Sequence, residues 1–114
     1  MNIGLDIGGT KIIAAYRDPT GQLVVTDKIA TPRTQAKAIE AISELITHLA
    51  GTQDIATLAI SAPGPADFHQ GILLNPQNLG WGDVALVDRL SQNFPHTKIF
   101  LENDANTHTP AWKY

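Results

Sequence analysis

Gly8-Gly9-Thr10 separates two short apolar runs at the start of the chain. Asn2 to Ile7 carries β-branched Ile3 and Ile7, and Lys11 to Tyr16 reads Lys-Ile-Ile-Ala-Ala-Tyr. Both runs have strand character, and the glycine pair between them breaks the first strand before the second begins. Asp18-Pro19-Thr20-Gly21 is a second turn, in which proline presets φ and glycine closes the reversal. Gln22 to Ala30 is a third strand, with the β-branched pair Val24-Val25 and then Ile29. Three strands joined by two short turns predict an antiparallel meander.

The pattern then changes period. Thr31-Pro32 ends the meander, and Thr34 is a helix N-cap residue type. Ile39, Ile42, Leu45, Ile46 and Leu49 form a helical stripe over Gln35 to Ala50, and Gly51 is a natural stop. Ile55 to Ser61 reads as a buried strand. A strand, a helix and another strand predict a right-handed crossover onto a mixed sheet. Ala62-Pro63-Gly64-Pro65-Ala66 excludes regular structure and leaves the C-terminal end of that strand exposed. A small hairpin is expected over Phe68 to Leu74 around His69-Gln70-Gly71, followed by a long loop from Asn75 to Gly82. Leu86, Val87 and Leu90 place a helix within Val84 to Asn93, and Thr97 to Leu101 reads as a further buried strand. Glu102-Asn103-Asp104-Ala105-Asn106 follows at its C-terminal end.

Composition bounds the function. A chain of 114 residues fits one domain. Eight Lys and Arg against eleven Asp and Glu give a net charge of −3, which lacks the electrostatic footprint for nucleic acid or an anionic membrane. With no cysteine, a disulfide framework and a thiolate zinc site are both excluded on this chain. The longest apolar run, Ile12 to Tyr16, falls far short of the ~18 residues of a membrane span. No basic flank and apolar core of a secretory signal precede the first strand. A cytoplasmic globular protein is the expected class.

Three places carry chemistry. In Asp6-Ile-Gly-Gly-Thr-Lys11 the two glycines let backbone N–H groups approach an anion. Thr10 adds a hydroxyl, Lys11 a charge, and Asp6 a carboxylate suited to Mg²⁺ through water. The same residues also suit a plain Gly-Gly hairpin turn with a solvated lysine, and the two readings carry equal weight. Asn103-Asp104 sits where α/β sheets place a general base, and either residue could instead cap a following helix. Asn75 to Gly82 sets amide side chains on a proline-braced loop, which suits polyol recognition, with Trp81 either stacking on a sugar or filling core. The bland alternative is a surface loop anchored by Leu79 and Trp81. The four histidines, at 48, 69, 96 and 108, have no i, i+4 metal spacing and read as surface residues.

Four segments in order carry more than any one: Asp6-Ile-Gly-Gly-Thr-Lys11, Ser61-Ala-Pro-Gly-Pro65, Asn75-Pro-Gln-Asn-Leu-Gly-Trp81 and Glu102-Asn-Asp-Ala-Asn106. Together they resemble the N-terminal half of a ROK-family sugar kinase, the family of bacterial glucokinases and related repressors, from Asn2 to Asn106. The resemblance implies an α/β, actin-like ATPase domain of ribonuclease-H-like topology, with three antiparallel strands followed by parallel strands and crossover helices. It implies ATP-dependent phosphorylation of a hexose 6-hydroxyl. Gly8, Gly9, Thr10 and Lys11 then correspond to the segment that meets the γ-phosphate of ATP, with Asp6 toward Mg²⁺. Gly64, Asn78, Asn103 and Asp104 correspond to sugar-binding positions, and Asp104 to the catalytic base.

The resemblance also sets limits. Residues 1–106 correspond to the N-terminal kinase domain, and the second domain is absent from the sequence, together with the family's His/Cys zinc site. Residues 107–114, Thr-His-Thr-Pro-Ala-Trp-Lys-Tyr, diverge, and Pro110 falls where the family continues a helix. The expectation is an incomplete catalytic cleft, inactive in isolation. A sheet face stripped of its cover helix should favour a homo-oligomer or a complementing chain, with Trp112 packed into the gap. Two alternatives are a non-catalytic sugar- or phosphate-binding remnant and a sugar-responsive transcriptional regulator of the same family. The second lacks room for a DNA-binding module ahead of Asp6. The motifs are shared by kinases of several hexoses.

Overall fold

A computed structural model describes residues 1–102, the side chains of residues 25 and 26 apart. The meander is formed as expected. β1 (Asn2–Ile7), β2 (Lys11–Arg17) and β3 (Leu23–Ala30) pair antiparallel in sequence. The chain then crosses through α1 (Gln35–Ala50) to β4 (Thr57–Ser61), which lies parallel to β1. β5 (Ala66–Asp67) and β6 (Ile72–Leu73) make a separate two-stranded hairpin. α2 (Leu86–Asn93) leads to β7 (Lys98–Glu102), parallel to β4. The main sheet has the order β3-β2-β1-β4-β7, so an antiparallel half and a parallel half meet at β1.

One core explains this arrangement. Alternate residues of the strands, Ile3, Leu5, Ile7, Ile12, Ala14, Leu58, Ile60 and Leu101, share a single buried cluster with the apolar stripe of α1 and with Leu86 and Leu90 of α2. The period of two in the strands and of 3.6 in α1 therefore meet on one face of the sheet. Thr34 caps α1, its hydroxyl accepting from the Lys37 N–H at 3.3 Å, and the Gly51 N–H closes the other end on Thr47 O at 3.1 Å.

The structure departs from the sequence expectation in several places, and β4 begins at Thr57 where Ile55 was expected. The second helix starts at Leu86, because Val84 first pairs its backbone with Leu73 in both directions, at 2.9 and 3.0 Å. The hairpin pairs Ala66-Asp67 with Ile72-Leu73, so Phe68 falls in its turn. Asp67 sets that turn by accepting from Gln70 N at its side chain and from Gly71 N at its carbonyl. The last strand, expected to be buried, is an edge strand with only Leu101 fully enclosed, and Phe100 is 37% exposed. Phe100 projects to the second face, where Gly4, Ala15 and Ala59 floor a groove of about 250 Å³. Both helices pack against the other face. No helix among the described residues is long and apolar enough to cross a membrane.

Candidate functional site

The parallel strands bring the predicted segments to one end of the sheet. β1 runs out into residues 8–10 and β4 into residues 62–65. Asp6 is in register with Ser61, and Ser61 with Glu102. The carboxyl ends of β1, β4 and β7 are therefore level, which is where open α/β sheets bind ligands.

Beyond that edge, Pro63, Gly64, Pro65, Asn75, Gln77 and Asn78 line a cavity of about 370 Å³. The loop that supplies its amides is built by alternation. Pro76, Leu79 and Trp81 are buried, whereas Asn75, Gln77 and Asn78 are exposed. Anchored apolar residues thus hold the carboxamides outward, each with donors and an acceptor suited to hydroxyl groups. Asn75 adopts φ +49°, a conformation that asparagine tolerates better than most residues. The Leu74 N–H donates to Pro65 O at 2.9 Å and ties the two walls together. A Cβ added at Gly64 would meet only Ala66 N, at 3.9 Å. Chain packing therefore makes no steric demand for glycine at 64, and the space belongs to the cavity. Two larger hollows, of about 640 and 780 Å³, lie at the opposite end of the sheet and along α1 beside Phe94, away from every predicted residue.

The glycine loop lies against this cavity. A Cβ on Gly9 would come within 3.2 Å of the Asn78 Cβ, and one on Gly8 within 3.1 Å of Lys11 O. The Gly8 N–H closes the turn on Lys11 O at 2.9 Å. The Gly9 and Thr10 amides make no hydrogen bond among the described residues. The three carbonyls of the loop are all held by one segment. Thr31 Oγ1 donates to Gly8 O at 2.7 Å, Arg33 Nη1 to Gly9 O at 3.0 Å, and Thr31 N to Thr10 O at 3.0 Å. Thr10 and Lys11 are exposed beside them.

That segment is itself anchored in the amide loop. The Trp81 indole N–H donates to Pro32 O at 2.7 Å, and Gln35 Nε2 bridges the carbonyls of Trp81 and Asp83 at 2.8 and 2.7 Å. Trp81 is 5% exposed and belongs to the core cluster. Of the two roles open to Trp81 from sequence, core filling holds and sugar stacking is excluded by burial. His48, His69 and His96 are exposed, as expected.

Of the predicted site residues, Gly64 and Asn78 share the cavity, Gly9 touches Asn78 across van der Waals distance, and Asp6 stands at the same end of the sheet. Asn103, Asp104, Trp112 and the whole of residues 107–114, expected to diverge, lie outside the described residues. Sequence reasoning missed Thr31, which it read only as the end of the meander, and Arg33, to which it gave no role. The amides of the Asn75 to Gly82 loop were read together as suited to polyols, the resemblance picked out Asn78 alone, and the structure sets Asn75, Gln77 and Asn78 on one cavity.

An open mixed sheet with its loops gathered at the carboxyl edge defines an α/β domain of the class that binds ligands at that edge. The chain matches the ROK family profile over residues 2–114, and it belongs to the ROK family. It is 30% identical over 112 residues to the glucokinase of Streptomyces coelicolor, covering 98% of this chain and 34% of that protein. It is 37% identical over 87 residues to the N-acetylmannosamine kinase of Yersinia pseudotuberculosis, covering 75% of this chain and 30% of that protein. The ROK family glucokinase from Streptomyces griseus, solved in complex with glucose and AMPPNP, matches with a TM-score of 0.79 at 34% identity over 92% of this chain and 33% of that one. The expected actin-like ATPase fold is thereby shown. The chain spans about a third of the length of the curated relatives it matches.

Proposed function

We propose that this chain is the sugar-binding and phosphate-binding half of an ATP-dependent hexose kinase. The observation that carries the reading is the contact between the two loops. Gly9, in the anion-type loop, abuts Asn78, in the amide-lined cavity. A hydroxyl held in that cavity and a phosphoryl group held by the loop would be neighbours, and positioning supplies most of the catalysis in phosphoryl transfer.

The residues fit the groups that such a reaction needs. The Gly9 and Thr10 amides, with Lys11 beside them, suit phosphate oxygens. Asp6 suits Mg²⁺, a cation that proteins hold through one or two carboxylates and the substrate's own phosphates. When bound, Mg²⁺ neutralises charge on the phosphates. Among the described residues no cluster of three or more His, Cys, Asp or Glu forms a closed metal cage, and Mg²⁺ at a kinase site does not require one. Asn75, Gln77 and Asn78 hold the hexose hydroxyls, Asn103 orients the reacting one, and Asp104 takes its proton as general base. β7 brings the chain to the carboxyl edge, with Glu102 in register with Ser61 of β4, and Asn103 and Asp104 follow it in sequence. This chain spans about a third of the relatives' length, and turnover is not expected from it alone.

The test is to titrate the isotope-labelled chain with glucose and, separately, with ATP and Mg²⁺. Glucose should shift the side-chain amide signals of Asn75, Gln77 and Asn78. ATP should shift the backbone amides of Gly9 and Thr10. Neither response at millimolar ligand would overturn the reading. A coupled ADP-release assay on the same chain should show no sugar-dependent rate. A rate abolished by Asp104→Asn would show that a second copy completes the cleft, and would refute the incompleteness.

A further inference from the structure

Glycine pairs have the widest backbone freedom of any dipeptide, so a Gly-Gly loop presents its amides in one direction only if something outside it fixes the peptide planes. In a trans peptide the C=O and the following N–H point in opposite directions. Holding the Gly8 carbonyl therefore aims the Gly9 N–H, and holding the Gly9 carbonyl aims the Thr10 N–H. Those two carbonyls are the acceptors of Thr31 Oγ1 at 2.7 Å and Arg33 Nη1 at 3.0 Å. The two N–H groups consequently face away from the segment at residues 31–33, and they make no hydrogen bond among the described residues. Thr31 is buried, and Pro32 between the two is held by the Trp81 indole at 2.7 Å. The clamp is thus set in the packed chain at Thr31 and reaches the loop from the surface at Arg33.

We infer that Thr31 and Arg33 are positioning residues that preset the Gly9 and Thr10 amides for the oxygens of a terminal phosphate. The inference rests on the phosphate-loop reading above and assigns these two residues a role through the backbone. Arg33 acts here through a directed donor on the far side of the loop, and its charge is secondary. Thr31 has no charge to contribute, so any effect of its hydroxyl on an anion must pass through the Gly8 peptide. A preset cradle binds more tightly because the ordering of the loop is already complete.

The test uses the full 114-residue chain with sodium tripolyphosphate as the probe, followed at the Gly9 and Thr10 amide signals by NMR. Thr31→Val removes the hydroxyl at nearly constant shape and should weaken binding about tenfold, the effect of losing one well-formed hydrogen bond. Thr31→Ser keeps the hydroxyl and should restore most of the affinity. Arg33→Lys keeps the charge but loses the planar donor, and should weaken binding by a similar factor. Arg33 is exposed, so this variant stays folded even if Thr31→Val does not. Without ligand, the Gly8 carbonyl carbon should shift in Thr31→Val and the Gly9 carbonyl carbon in Arg33→Lys. Wild-type affinity in both Thr31→Val and Arg33→Lys would overturn the positioning role, as would weakening confined to Arg33→Met, which indicates charge alone. If the carbonyl shifts appear but the wild-type amides ignore tripolyphosphate, the clamp exists and the phosphate-loop reading fails, together with the ligand assigned to the cradle.

Discussion

Gly71→Ala should destabilise this domain far more than a glycine replacement at a matching backbone angle elsewhere. Gly71 has φ +71°, and a Cβ placed there would lie 2.3 Å from Val87 Cγ2 and 2.5 Å from Val87 Cβ. Rotating Val87 about χ1 moves the first atom but not the second, which is fixed to the backbone of α2. The hairpin or the helix must therefore shift, and the Val87 N–H to Gly71 O bond at 3.2 Å ties the two together. The left-handed backbone costs an L-residue about 1–2 kcal/mol. Overpacking adds about 1–3 kcal/mol. Gly80 and Gly82 supply the control, because both have φ +70° and nothing within 4 Å of an added Cβ. Gly80→Ala should lose only the backbone contribution. At about 5 °C per kcal/mol for a domain of this size, Gly71→Ala should melt roughly 5–15 °C below Gly80→Ala by circular dichroism. Equal melting temperatures would refute the steric argument and show that the β5–β6 hairpin moves freely against α2. The result bears on the cavity, since the same hairpin leads through Leu74 to Asn75 and is bonded to Pro65.

Trp81→Phe removes the donor to Pro32 O while keeping an aromatic ring in the core. It should cost about 1–3 kcal/mol by chemical denaturation, the range for stranding one buried partner. Gly64→Ala should leave the melting temperature within a few degrees, because an added Cβ meets only Ala66 N at 3.9 Å, while the methyl narrows the cavity and weakens the glucose shifts at Asn78. The Asp18 carboxyl is held below its ordinary 3.8, first by the Thr20 hydroxyl at 2.6 Å and then by the backbone amides of Gln22 and Thr20. A folded value below the unfolded one gives stability that is present above 3.8 and lost as pH falls through the folded value. Asp18→Ala should therefore melt below wild type at pH 7, and the gap should close toward pH 2. Phe100, 37% exposed beside the groove floored by Gly4, Ala15 and Ala59, predicts self-association, which Phe100→Ser should weaken; a monodisperse wild-type monomer in sedimentation would count against it.

The elements legible in the sequence were those whose order is written in periodicity. β1 and α1 each bury an apolar stripe on one face, so the period of the apolar residues and the capping chemistry agree with the final packing. The ends that shifted are those decided by tertiary pairing. Val84 stands at helical spacing from Val87 in sequence, but its backbone is taken by Leu73 before α2 begins. Phe100 alternates correctly for a strand, yet alternation does not reveal whether a second layer covers its face. In the site, Gly64 and Asn78 were singled out through the family resemblance of their segments, and both line one cavity in the structure. Thr31 and Arg33 were not, because a side chain that bonds a backbone carbonyl leaves no pattern in composition or spacing.

The physical unity of the site lies in what its two loops share. The amide loop holds its carboxamides outward by burying Pro76, Leu79 and Trp81 between them. Trp81 also bonds the segment that holds the glycine loop, through Pro32. Gln35, from the first turn of α1, bonds the backbone of Trp81 and Asp83. The loop that would hold the sugar and the loop that would hold the phosphate are thus fixed to a common strut between β3 and α1, in addition to touching at Gly9 and Asn78. For in-line transfer the separation of acceptor hydroxyl and phosphorus matters more than the position of either alone. A shared strut fixes that separation even if the whole edge of the sheet moves, whereas two independently anchored loops would let it drift.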